Sequence, residues 1–88
     1  MPTIIARHKV GDINAWLKGH QDRVELFSPI SSSFRTFQDT NDPNSVVIVV
    51  ETDDPGAFAA VANDPQHDGV KTRHTVIEPI IVSTELAL

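Results

Sequence analysis

An α+β domain with the element order β-α-β-β-α-β is what this sequence predicts, and three observations carry the prediction. Val46 to Val50 are five consecutive β-branched apolar residues, the pattern of a strand covered on both faces. Residues 13 to 27 place apolar side chains at helical spacing. Turn-forming residues separate these segments from the other candidate strands and from a second candidate helix.

Taken in order, "TIIARHKV" (residues 3–10) is rich in β-branched residues and stops at Gly11, which reads as the first strand. Asp12 caps a helix in which Ile13, Trp16, Leu17, His20, Val24 and Phe27 share one face, and Pro29 ends it. "SSFRTFQD" (32–39) alternates in the manner of a strand, and "TNDPNS" turns it back into "VVIVVE" as a hairpin. Asp54 followed by Pro55 opens the second helix, with Phe58, Val61 and Ala62 as its apolar face, until Asn63, Asp64 and Pro65 stop it. Gln66 to His74 is expected to make a further helical turn or two. "TVIEPIIVS" then forms the last strand, placed at a sheet edge because Pro79 removes a ladder donor.

That order is the split βαβ, ferredoxin-like arrangement: a four-stranded antiparallel sheet with the helices on one face. All 88 residues form a single domain (1–88), and a chain of this length hides only about 60–65% of its unfolded surface, so its core is thin. Both faces of the 46–50 strand ask for cover, and the chain has nothing left for the helix-free face. A second copy supplies it, giving a homodimer in which two sheets enclose a barrel able to hold a small ligand.

Charge narrows the partners. From Thr36 to Val70 there are seven acidic residues and no lysine or arginine, the reverse of a nucleic-acid footprint. Basic residues never form a run, so no nucleic acid and no membrane partner is expected. The acidic stretch reads as solvated loop and helix start. The chain has no cysteine, which excludes thiolate metal sites and a cysteine nucleophile, and no long apolar window, which suits a cytoplasmic protein. Serines without a G-x-S-x-G context and only four glycines argue against a serine nucleophile and a phosphate loop.

With its element order and the segment "DPQH" (Asp64 to His67), the chain resembles the dimeric α+β barrel superfamily over its whole length. That superfamily includes stress-responsive barrel proteins, polyketide cyclases such as olivetolic acid cyclase, antibiotic-biosynthesis-type monooxygenases and haem-degrading monooxygenases. The resemblance to the cyclase branch implies that His67 is a catalytic base. The same branch pairs that histidine with a tyrosine six residues earlier, where this chain has Val61, and there is no tyrosine anywhere in it. A haem-degrading enzyme would carry a tryptophan shortly before its histidine, whereas the sole tryptophan, Trp16, lies in the first helix.

On the residues themselves, His67 follows a helix stop, and an imidazole is the side chain suited to moving protons near neutral pH. It either works at a cavity mouth or caps the break and faces water. Asp64 or Asp68 could orient it, although Asp64 also has the position of an N-cap. His20 and Trp16 fall on the buried side of the first helix and are carried as substrate-binding candidates, the alternative for both being a place in the core. His8 and Arg7 lie on opposite faces of the first strand. Arg7, with Arg35 and Glu78, is the set assigned to the barrel side, where Arg7 and Arg35 are carried as substrate-binding candidates too, and His74 is expected at the surface. Histidine spacings of 12, 47 and 7 residues match no metal motif, so neither metal nor cofactor is expected. The reading is a cofactor-independent enzyme of cyclase, isomerase or monooxygenase type acting on an apolar carbonyl-bearing or aromatic molecule. The alternative is a non-catalytic ligand-binding or stress-associated structural dimer.

Overall fold

The computed structural model describes residues 2–86 and Leu88. Four strands, β1 (Thr3–Val10), β2 (Ser33–Gln38), β3 (Ser45–Glu51) and β4 (Val76–Thr84), form one sheet in the order β2-β3-β1-β4, with every neighbouring pair antiparallel. This is the expected ferredoxin-like arrangement. The strand carrying Pro79 lies at an edge, where a missing ladder donor costs little.

Alternation sorts the side chains. Ile4, Ala6, His8 and Val10 of β1 and Val46, Ile48 and Val50 of β3 are buried beneath the helices. Phe58 and Ala62 press on them from α3 (Pro55–Asn63), and Phe27 presses from α2 (His20–Phe27). Phe27 stacks on Phe58 at 4.9 Å and on Phe34 at 5.9 Å between ring centroids, so an aromatic row joins both helices to β2. Ile5, Phe37, Ile77 and Ile81 emerge on the helix-free face and are exposed.

The first helical segment differs from the sequence expectation. It is not one helix but α1 (Ile13–Lys18) and α2, parted at Gly19, and a short 3₁₀ turn at Ser28–Ile30 containing Pro29 closes it. Asp12 caps α1 as expected, accepting from Asn14 N at 2.9 Å and Ala15 N at 3.3 Å. Gly19 is where the chain needs no side chain: a Cβ there would come within 2.3 Å of the His74 ring. The break also changes which residues face inward, so Leu17, expected on the apolar stripe, is 51% exposed.

After α3 the chain makes a 3₁₀ turn at Pro65–His67 and then α4 (Asp68–Arg73). Thr75 follows with φ 59, a left-handed residue that keeps β4 from starting until Val76. Its hydroxyl accepts from Asp12 N and donates to Asp12 O, both at 3.0 Å, tying the end of α4 to the start of α1.

Candidate functional site

Between the sheet and the helices lies a cavity of about 70 Å³. Ala6, Ile48, Val76 and Ile80 form its floor; Phe27, Phe58, Val61 and Ala62 form much of its roof. The residues at 6, 61 and 62 are small, and that leaves the void. Five polar side chains reach this apolar wall: His8, Arg23, His67, Lys71 and His74. The cavity belongs to one chain, on the opposite side of the sheet from the face a second copy would cover.

His67 closes the 3₁₀ turn that Pro65 opens, and it is half-buried. With Leu26 and Val70 it borders both the cavity and an open surface groove lined also by Asp22, Glu25 and Arg73. These three side chains are therefore the partition between interior and solvent. Asp64 caps the turn, accepting from Gln66 N at 3.0 Å and Gln66 Nε2 at 2.6 Å. Those bonds hold its carboxyl below the usual carboxylate range and commit it to Gln66.

His8, on the buried face of β1, donates from Nδ1 to the Lys9 carbonyl at 3.0 Å, which leaves Nε2 as the lone-pair nitrogen. Its ring stands edge-on to Trp16 at 5.7 Å. Burial pushes its pKa below the ordinary 6.5, so the imidazole is neutral at neutral pH. His74, expected at the surface, is only 5% exposed, because Gly19 lets its ring lie on the helix backbone. Its Nδ1 accepts from Arg23 Nη1 at 3.2 Å, and its Nε2 lies 3.7 Å from Asp22 Oδ2. Burial, with Arg23 beside it, pushes His74 down as well.

The other sequence candidates lie elsewhere. His20 begins α2 and turns toward β2, with Nδ1 3.4 Å from Thr36 Oγ1 and its ring tilted against Phe34 at 6.0 Å; it is not on the cavity wall. Trp16 is buried behind the wall, beneath the Arg23 guanidinium. Arg7 and Arg35 project from the helix-free face, Arg35 over Phe37 at 5.7 Å. Glu78, grouped with them from the sequence, borders one open groove with Arg7 and also pairs with Lys71 of α4 at 3.2 Å. Sequence reasoning missed Arg23 and the interior placing of His74, while His8 lies beneath the helices on the strand face opposite Arg7. One signal was present for Arg23: it is seven residues after Trp16 and four before Phe27, on their helix face. Among the described residues no cluster of three or more metal-ligating side chains occurs. No helix among them is long and apolar enough to cross a membrane.

No family model matches the sequence, and no curated protein matches it. Solved structures do match. An antibiotic biosynthesis monooxygenase superposes with TM-score 0.72 at 20% identity, over 100% of this chain and 99% of that one. SnoaB, a cofactor-independent oxygenase from Streptomyces nogalater, gives 0.71 at 15% identity over 99% and 92%. A conserved protein from Methanosarcina mazei gives 0.69 at 9% over 96% and 89%. At these identities the likeness establishes the fold, and that fold is the ferredoxin-like α+β arrangement of antibiotic biosynthesis monooxygenases.

Proposed function

We propose that the protein is a small cofactor-independent enzyme that binds an apolar carbonyl-bearing or aromatic molecule and takes a proton from it with His67. The observation that carries this reading is the position of His67 on the partition between an apolar cavity and an open groove. A substrate entering there meets an imidazole before it meets the interior. A neutral ring nitrogen of His67 accepts the proton of an acidic C–H or O–H bond, and the bonding pair stays on the substrate as an enolate or phenolate. That anion can be reprotonated elsewhere, attack a carbonyl of the same molecule, or add to dioxygen to give a peroxide. These are the isomerase, cyclase and monooxygenase outcomes, and the substrate itself supplies the electrons for each. Fold likeness to SnoaB, described as a cofactor-independent oxygenase, favours the last.

The alternative, a ligand-binding or structural dimer without catalysis, has one observation in its favour. Val61 lines the cavity at the position where the cyclase resemblance asks for a phenol. In either reading we place a second copy on the helix-free face, whose apolar side chains a single chain leaves in water.

Deuterium exchange separates the two. Anthrone and a set of 1,3-diketones are incubated with the protein in D₂O, and loss of the acidic proton is followed by NMR. The wild type should accelerate exchange, and His67→Ala should lower that rate by about 10²–10⁴-fold. Exchange no faster than in buffer leaves the non-catalytic reading standing, and an undiminished rate in His67→Ala moves the base elsewhere.

A further inference from the structure

Arg23 is the charged group that proton transfer leaves unused. It projects from the middle of α2 into the cavity wall and is 7% exposed. Its guanidinium lies on the Trp16 ring, 3.9 Å from the centroid, and Nη1 donates to His74. Nε and Nη2 have no hydrogen-bond partner among the described residues, and neither has Nε1 of the Trp16 ring on which the guanidinium lies. Burial pulls the guanidinium pKa down to about 10, which leaves it cationic at neutral pH.

This stacked pair thus holds three buried donors without an acceptor among the described residues. The cavity wall offers none of opposite charge: it carries Arg23, Lys71 and three histidines, and no carboxylate. Lys71 is already paired with Glu78, and Asp22 faces His74. A buried cation with open donors is a standing cost to the fold unless something supplies oxygen to it. Nε and Nη2 form one edge of the planar guanidinium, with parallel N–H bonds spaced to meet two oxygens of one anion. Trp16 and His74 fix that plane from below and from the far edge.

We infer that Arg23 is the oxyanion-binding residue of the cavity and that the ligand is a small organic anion, a carboxylate or the enolate of a 1,3-dicarbonyl, set on its Nε/Nη2 edge. The enolate assignment rests on the His67 reading; the carboxylate one does not. Size agrees with a head-first pose. The cavity, about 70 Å³, is roughly half the 150 Å³ that encloses a benzene ring, so an oxygen-bearing head fits inside and an apolar remainder passes between Leu26, His67 and Val70 to the groove.

The test is a ¹⁵N NMR titration of the Arg23 Nε–H signal in the wild-type protein with acetate, propionate and benzoate, each against its amide. A saturable downfield shift is expected for at least one carboxylate, at a concentration at least tenfold below that of its amide, with the preference lost in Arg23→Met. If no carboxylate moves the signal more than its amide, or if Arg23→Met keeps the preference, the inference is wrong. Should Arg23→Met fail to fold, the wild-type titration alone decides. Anion binding without catalysed deuterium exchange keeps the oxyanion site and ends the enzyme reading. Exchange lost in His67→Ala with no carboxylate preference does the reverse.

Discussion

His74 is neutral because its surroundings leave no room for a second proton. The ring is buried, Arg23 donates to Nδ1, and against these only the Asp22 carboxylate, 3.7 Å from Nε2, favours the charged form. His8 is held low by burial in the same way. Both folded-state values lie below the unfolded 6.5, so the unfolded chain binds more protons as the pH falls through that value. Their contribution is complete above pH 6.5 and is lost progressively below it. We expect the urea midpoint to fall between pH 7 and 5, and His74→Gln, which keeps an acceptor for Arg23, to flatten part of that fall. An unchanged slope in the variant would show that His74 is not the titrating group. Asp42 and Asp64 are also held below their ordinary 3.8, but their losses belong to a more acidic window. At this scale the sequence was half legible. Trp16 lies in the core as helical spacing allows and His20 packs half-buried on Phe34 and Thr36, whereas the burial of His74 left no trace in any spacing.

The elements explain that failure. Strands 3–10 and 45–51 were legible because β-branched runs have few other uses, and the edge position of β4 followed from Pro79. The division of the first helix at Gly19 was not, since a lone glycine inside a helical pattern is common and its reason, the His74 ring, lies 55 residues away. Gly19 has φ −85 and ψ 5, a backbone that alanine also adopts, so space alone decides the substitution. Gly→Ala in helical backbone ordinarily gains roughly 0.5–1 kcal/mol. Here the new methyl would meet His74 Nε2 at 2.3 Å, and we expect Gly19→Ala to cost about 1–3 kcal/mol instead. Urea unfolding checks the sign, and adding His74→Ala should recover most of the loss. A neutral or stabilising Gly19→Ala would mean that the ring yields freely.

For the whole molecule, the sequence expects a ligand between the two sheets of a dimer, and the single chain offers a second candidate space under its own helices. No periodicity signals a void made by Ala6 together with Val61 and Ala62, because Ala6 of β1 lies more than 50 residues from the two α3 positions in the chain. The proposed dimer and the proposed site therefore lie on opposite faces of the sheet and can be tested separately. Ile5, Phe37, Ile77 and Ile81 are each about half exposed on the outer face. We expect a homodimer by sedimentation at micromolar concentration, and Phe37→Glu with Ile81→Lys should give a monomer that retains its secondary structure. A monomeric wild type would sink the barrel arrangement and leave the cavity untouched.

The pairing of Trp16 with Arg23 also makes the protein its own optical instrument. With one tryptophan and no tyrosine in the chain, ultraviolet emission excited near 280 nm comes almost wholly from a single indole. That indole lies 3.9 Å beneath a cation and edge-on to a histidine, and both of those side chains line the cavity. The colour and intensity of its emission follow the charge above the ring, so events in the cavity can be watched without attaching a dye.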